Sequence, residues 1–427
     1  MDRAARLPRN SASENAPEHD EEDHASTPSQ IPPPAEKDRR TPWAQLKYFN
    51  YSPTIYQGMV KATSGKVKPG DLVSIYDKKG YPFGAGIFNH RAKVPLRVVY
   101  HGGGEFTEDD FLRLIDAAID LRLDVLRLPE KTNAFRVIHS DADSLSGLVV
   151  DKFHDVLSIE VHSLGMHQRL TRWLPHLHQR LGTKYELVTV EDWVAEIEGI
   201  RPRRPDSPPP KTVKITEHGL RYEVNFELGH KTGFFCDQRE NRRRLVDYLK
   251  PEMKVLDLCC YSGGFSLAAA VLGNATEVTG VDLDEKAIVQ AKRNANLNQC
   301  KAVKWVHVDA FTYARQQQQN GAEYDVVILD PPKLVFSKEG FREGQNKYQD
   351  LNRLGISLVK PGGLLVTCSC SGQVSEEQFE QFVIRGAHQQ GRRLQILERT
   401  GPGGDHPVIS NCFETRYLKV IWARVLA

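Results

Sequence analysis

The sequence predicts a multidomain α/β protein whose C-terminal part is a doubly wound, Rossmann-like domain on a seven-strand sheet, and three observations lead there. The chain of 427 residues exceeds one average domain and suits two or three. From about residue 250, short apolar runs alternate with stretches of helical periodicity, the pattern of parallel strands joined by helices. Ahead of that point lie a β-rich piece and a mixed α+β piece, separated from the last domain by a Pro-rich segment.

Composition sets the outer limits. At 40% hydrophobic residues the chain can build real cores, and a formal charge of +2 neither requires nor excludes a nucleic acid partner. No run approaches the ~20 apolar residues of a membrane span, and the N-terminus lacks a signal-peptide centre, so a cytoplasmic protein without membrane contact is expected. Cysteines at 236, 259, 260, 300, 368, 370 and 412 form neither a disulfide framework nor paired zinc-ligand spacings. Reduced thiols and no metal are therefore expected.

Taken in order, residues 1–40 have few large apolar groups and many charges, Ser and Pro, the composition of a disordered tail. Residues 44–104 contain "GDLVSIYDKKGYPFGAGIFN", strands punctuated by turns at Asp77–Gly80 and Asn89–His90. In 105–198, Phe111, Leu112, Ile115, Ala118, Ile119 and Leu123 recur at helical spacing, a hairpin turns near His154–Asp155, and "HQRLTRWLPHLHQRL" supplies a second helix. Residues 199–211, "GIRPRRPDSPPPK", read as a linker, and "VKITEHGLRYEVNFE" as a hairpin opening the last domain, 212–427. There "KVLDLCC", "ATEVTGVDL", "VKWVHVDA", "YDVVILD" and "GGLLVTCSC" are five strands with helices between them, "SEEQFEQFVIRGAHQQG" is a helix opened by a Ser375/Gln378 capping box, and "RRLQILER" and "RYLKVIWARV" complete seven strands.

In such a fold, ligands bind at the carboxyl ends of the strands. The turn "DLCCYSGGF" carries Asp257, Ser262, Gly263 and Gly264 but no G-x-G-x-x-G, and Asp257 is an anion where a dinucleotide's pyrophosphate would need amides. A nicotinamide cofactor is disfavoured on that ground. Asp282 ends the second strand, where it can accept from ribose hydroxyls, and Asp309 with Phe311 ends the third, where a hydrogen bond and a ring can meet adenine. Each Asp alone is as consistent with an ordinary cap. Three at successive strand ends ahead of Asp330-Pro331-Pro332-Lys333 point to S-adenosylmethionine. The two cysteines of "TCSCSG" share one face of their strand, and Arg239 at a helix start could meet a carboxylate or phosphate, or lie on the surface.

The runs "GHKTGFFCDQR", "DLCCYSGGF", "DPPKLVFSKEG", "CSCSG", "DHPV" and "YLKV" resemble those of the bacterial 23S ribosomal RNA cytosine-5 methyltransferase family, the large subunit methyltransferase I group. Residues 44–104 likewise resemble a PUA domain, and 105–198 the family's central domain. The resemblance implies Asp257, Ser262, Gly263 and Gly264 around the methionine end of the cofactor, Asp282 at its ribose, Asp309 and Phe311 at its adenine, and Asp330 near its sulfonium. It also implies that the run containing Lys231, Asp237, Gln238 and Arg239 closes over the cofactor, and that His406 shapes the pocket floor.

Chemistry supports a thiol. Carbon 5 of a pyrimidine is a poor nucleophile until a thiolate adds at carbon 6, and the resemblance makes Cys370 that nucleophile, with Cys368 in the core and Asp330 at the base's N3 edge. Lys333 stands where related enzymes carry a cysteine, which leaves the base that removes the C5 proton unassigned. A fourth-position aromatic, as amino-group methyltransferases use, is missing; methylation of a base nitrogen is the alternative, and a non-catalytic RNA-binding adaptor a third reading. RNA is the expected partner, 23S rRNA by resemblance, as is a homodimer. Candidate phosphate contacts are Arg242, Arg243, Arg244, Lys333, Lys338 and Arg342, with Lys61, Lys66, Lys68 and Arg91 on the N-terminal domain.

Overall fold

The computed structural model describes residues 32–48, 51–201, 208–227 and 233–427. Most of the expected tail, 1–31, lies outside them, as do most of the linker, 202–207, and Lys231. The tail's last residues are ordered, which shortens the expected disordered stretch. Glu36–Asp38 form a 3₁₀ turn, and buried Arg39 places its guanidinium 4.7 Å from the Trp43 ring and 4.9 Å from that of Tyr76. A planar cation on a long apolar stem can dock on aromatic rings, so a charged segment need not be loose.

The N-terminal domain is a six-stranded sheet of β1 (Trp43–Leu46), β2 (Thr54–Ile55), β3 (Val60–Thr63), β4 (Asp71–Tyr76), β5 (Pro82–Phe88) and β6 (Leu96–His101), in the order β2-β6-β5-β4-β1-β3. The turn read at Asp77–Gly80 joins β4 to β5, closed by Gly80 N–H donating to Asp77 O at 3.1 Å. Next come α1 (Asp110–Asp120), β7 (Ala134–His139), β8 (Leu148–Phe153), β9 (Val156–Val161), α2 (Leu164–Leu181), β10 (Tyr185–Thr189) and α3 (Asp192–Glu198). Their sheet runs β10-β9-β8-β7, and Phe111, Ile115 and Ile119 of α1 meet Trp173 and Leu177 of α2 over it.

The hairpin β11 (Thr212–Glu217) and β12 (Leu220–Asn225) does more than open the last domain. Its inward residues Ile215, Tyr222 and Val224 share one core with Phe153 and Val156 of the central sheet and with Leu267 and Ala295 beyond it. The hairpin therefore cements two domains together.

The last domain follows with α4 (Arg239–Val246), β13 (Lys254–Leu258), α5 (Gly264–Leu267), β14 (Glu277–Asp282), α6 (Glu285–Leu297), β15 (Val303–His307), α7 (Ala310–Gln319), β16 (Tyr324–Leu329), α8 (Phe341–Leu358), β17 (Val359–Ser369), α9 (Glu376–Gln389), β18 (Arg393–Thr400) and β19 (Lys419–Leu426). The seven-strand order is β15-β14-β13-β16-β17-β19-β18, with β13 to β17 parallel and β19 antiparallel to β17 and β18. Strands such as β16 are apolar on both faces, Val326 and Ile328 in one core and Val327 and Leu329 in the other, because separate helix-covered cores lie on either side. The Ser375/Gln378 capping box opens α9 as read. Five parallel carboxyl ends thus line one edge of the sheet.

Candidate active site

The β13–α5 turn is a tightly bound loop. Cys259 and Tyr261 adopt φ of 65° and 47°, left-handed values that cost about 1–3 kcal/mol each in a non-glycine residue unless the surroundings enforce them. Enforcement comes from β14: Cys260 N–H donates to Val281 O at 2.9 Å, and Tyr261 N–H to Asp282 Oδ2 at 2.8 Å. The second Asp282 oxygen accepts from Asp284 N–H at 2.9 Å. Each carboxylate oxygen keeps a further lone pair, and the half-buried carboxylate is rigidly aimed.

Asp257 is fully buried at the base of this turn. Its Oδ2 accepts from Ser266 N–H at 3.0 Å and Oγ–H at 2.6 Å, whereas Oδ1 is buried without a hydrogen-bond partner. Burial, aided by Asp282, pushes its carboxyl up to about 7 against the pull of Ser266. An orphaned buried acceptor of this kind fits a cationic amino group. A depression lined by Gly233, Tyr261, Ser262, Asp284 and Gln290 opens beside the turn. Asp309 is the N-cap of α7, its Oδ1 accepting from Thr312 N–H and Oγ–H, with half-buried Phe311 beside it.

The two glycines expected around the methionine end have a second cause: a Cβ on Gly263, which sits at a φ of 87°, would come 2.5 Å from the Trp305 ring, and one on Gly264 2.8 Å from Arg242 Cδ. Two expectations about arginines need correction here. Arg239, expected over the cofactor, is fully buried and bidentate to Asp405, with Nη2 2.7 Å from Oδ1 and Nη1 3.2 Å from Oδ2. Arg242, a candidate phosphate contact, is likewise buried and bidentate to Glu217 at 2.7 Å, while Arg243 and Arg244 pair with Asp247. A guanidinium buried against a carboxylate is not available to a ligand.

The substrate side is built around Cys370, half-buried immediately beyond the end of β17. Its two serine neighbours hold it. Ser369 Oγ–H donates to Tyr348 Oη at 2.9 Å, Tyr348 Oη and Ser371 Oγ lie 2.9 Å apart, and Val335 N–H donates to Ser371 Oγ at 3.2 Å. Lys419 Nζ donates to Ser371 O at 2.7 Å and Val374 O at 2.8 Å, and interacts electrostatically with Cys370; burial pushes this amine down to about 8. A cation beside a thiol favours the thiolate. Cys368 packs in the same core cluster, one pleat deeper. Its setting is more polar than expected, for its thiol abuts Asp330 and Gln238, while burial holds it well above the usual thiol range.

Asp330 follows β16, whose Leu329 pairs with Thr367 of β17. Gln238 Nε2–H donates to Asp330 Oδ1 at 3.1 Å and its Oε1 accepts from Asn241 at 2.7 Å, so Gln238 links α4 to the site. Burial first, then Asp237 and Asp257, pushes the Asp330 carboxyl up to about 7.

Sequence reasoning missed the wall supplied by the central domain. Arg122 donates to both Asp143 oxygens and to Asp405 O, and Arg136 N–H donates to Asp405 Oδ2 at 2.9 Å. Burial alone would raise Asp405, yet His406 and Arg239 hold it well below the carboxylate range. His139 lies 5.2 Å from His406 and 6.1 Å from Tyr417, ring to ring, and Tyr417 Oη–H donates to Asp237 Oδ2 at 2.7 Å. Arg136 Nη1 lies 3.1 Å from His139 Nδ1; burial and then Arg136 push that imidazole down to about 2. His406 itself is buried in this web. Only the "DHPV" run hinted at it.

A doubly wound sheet with an acidic, pyrophosphate-hostile first turn and further carboxylates at successive strand ends defines the class, an S-adenosylmethionine-dependent methyltransferase. The family model of that description matches residues 204–413, and a PUA-like domain model matches 44–100. Among curated relatives, "Ribosomal RNA large subunit methyltransferase I" of Alteromonas mediterranea is 33% identical over 379 residues, covering 86% of this chain and 93% of that one. Its namesake from Erwinia tasmaniensis is 32% identical over 382 residues, covering 88% and 95%. The chain belongs to the ribosomal RNA large subunit methyltransferase I family. In fold it is similar to a putative methyltransferase solved with SAH, at a TM-score of 0.71 and 22% identity over 84% of this chain and 93% of that one. A putative SAM-dependent methyltransferase from Streptococcus mutans gives 0.70 and 22% over the same shares.

Proposed function

We propose that this chain methylates carbon 5 of a cytosine in large-subunit ribosomal RNA, 23S in a bacterium, through a covalent Cys370 adduct. The observation that carries the reading is the half-buried Cys370 fixed by Ser369, Ser371 and Tyr348 at a parallel-strand end, two residues beyond Cys368, whose thiol abuts Asp330. When bound, S-adenosylmethionine supplies an electrophilic methyl group on its sulfonium. Asp257, Ser262, Gly263 and Gly264 would hold the methionine end, Asp282 the ribose hydroxyls, and Asp309 with Phe311 the adenine. Gln238 would orient the Asp330 carboxyl toward the base, and Arg239 braces the wall nearby through Asp405.

The Cys370 thiolate adds to C6, forming the S–C6 bond and pushing an electron pair to C5, which takes the methyl group. A carboxyl pushed up to about 7 at Asp330 can share its proton with N3 as that negative charge develops. A base then removes the C5 proton, the S–C6 pair returns to sulfur, and the thiolate is regenerated. The N-terminal domain, 44–104, grips the RNA away from the site, the central domain, 105–198, walls the pocket, and the whole works in the cytoplasm. RNA carrying 5-fluorocytosine should trap the wild type as a denaturation-resistant adduct, since no proton is then available at C5. Mass spectrometry of the product nucleoside completes the test: a methyl group on nitrogen would favour the alternative chemistry.

A further inference from the structure

Among the described residues, Phe336 and Phe413 are the most exposed aromatic side chains, at 74% and 72%. One exposed apolar ring is ordinary on a protein surface. These two, however, sit on segments tied to the serines on either side of Cys370 in the chain. Phe336 follows Val335, whose amide is bonded to Ser371 next to the thiol. Phe413 opens the turn that runs through Tyr417 to Lys419; Tyr417 and Cys370 pack against one core cluster, and Lys419 pairs with Ser369.

Each ring also carries a cation. Lys333 Nζ lies 5.9 Å from the centre of the Phe336 ring, and Arg416 Cζ 5.2 Å from that of Phe413. A ring with a cation against it and most of its surface in water offers a π face and a positive charge together, which matches a nucleotide's base and phosphate. The track continues past Phe413: Asn411 Nδ2–H donates to Tyr51 O at 2.7 Å, and the Tyr51 ring lies 5.9 Å from Phe83 and 5.6 Å from His101 of the N-terminal sheet. Duplex RNA hides its base faces within the stack, so only an unpaired strand can use such platforms.

We infer that Phe336 and Phe413 are stacking platforms for the bases on either side of the target nucleotide, so that the substrate is an unpaired RNA segment running from the β16 side of the site to the N-terminal domain. This rests on the RNA reading above. Phe336→Ala and Phe413→Ala should each weaken binding of an unpaired ribosomal RNA fragment by about 5- to 150-fold. Affinity for S-adenosylmethionine and the thermal unfolding profile should stay unchanged, because both rings are exposed. Phe→Trp at either position should bind as the wild type does, whereas Phe→Leu, which keeps the apolar surface without the π face, should be as weak as Ala. A base-paired form of the same fragment should bind poorly to all of them. Unchanged affinity in the Ala variants, or full affinity in the Leu variants, overturns the inference while leaving the Cys370 chemistry standing. Dissociation of a dimer in the Ala variants, with RNA affinity intact, would make the patch a contact between copies of the chain and also overturn it. Wild-type protein that neither binds nor methylates RNA would instead sink the reading on which the inference rests.

Discussion

The carboxyl edge of the large sheet has two halves built on different plans. On the half proposed for the cofactor, β13, β14 and β15 each bring a candidate side chain, Asp257, Asp282 or Asp309, within a few residues of the strand that aims it. Asp282 clamps the neighbouring turn through Tyr261, and Asp309 caps its own helix. On the substrate half, the same small volume is assembled from distant segments: Arg122 and Arg136 reach Asp405 across 283 and 269 positions, and Gln238 reaches Asp330 across 92. The proposed cofactor contacts are thus local to one domain, whereas the proposed base pocket draws its wall from both the central and the last domain.

The sharpest test of that division is the thiol. Cys370→Ala should abolish methyl transfer, a loss on the order of 10⁴-fold or more, while leaving S-adenosylmethionine affinity nearly unchanged. Cys368→Ala should retain most turnover and cost stability of about 1–2 kcal/mol. An adduct that survives in the Cys370 variant and vanishes in the Cys368 variant would reverse the assignment.

Next in size is the docking itself. Asp405→Ala strips buried Arg239 of its bidentate carboxylate and leaves only the Glu240 carboxylate, on Nε, which should cost about 3–5 kcal/mol in urea unfolding. Methyl transfer should suffer more than cofactor binding in any fraction that stays folded. A loss below about 1 kcal/mol would mean that the two halves are less dependent on the interface than the bonding suggests.

The same division explains what could be read from the sequence. All seven strands of the large sheet were legible because each is a short apolar run with its own periodicity, and the strand-end positions of Asp257, Asp282 and Asp309 were legible because a strand end announces itself locally. The buried roles of Arg239 and Arg242 were not, since their carboxylate partners Asp405 and Glu217 are far away or on a different element. The serines around Cys370 stood in plain view in "SCSG", but their partner Tyr348 lies on α8, and nothing within the motif names it.

Asp282→Ala probes the cofactor half alone. Losing a charged acceptor for the ribose should weaken S-adenosylmethionine binding by about 1.5–3 kcal/mol in calorimetry. Adduct formation at saturating cofactor should remain. Equal damage to adduct formation would show that the turn held by Asp282 also shapes the base pocket, and would break the comparison.

The smallest effect is a pH dependence, and it too belongs to the cofactor half. Burial, with Asp282 adding to it, pushes Asp257 up to about 7, so below that pH the ligand-free protein holds it neutral. A cationic amino group placed against Oδ1 favours the carboxylate, so binding must expel a proton there. Affinity should therefore rise with pH from 6 to 7, by at most about tenfold per unit for one proton, and then level off. Asp330, pushed up to about 7 by burial, Asp237 and Asp257, is the other group in this range. The two separate by substitution: Asp257→Asn should flatten the profile, whereas Asp330→Asn should keep its slope. Calorimetry in two buffers of different ionisation enthalpy counts the proton directly. A wild-type profile that is flat from pH 6 to 7.5, with no proton released, would remove Asp257 from the cofactor's amino end and leave it a purely structural partner of Ser266.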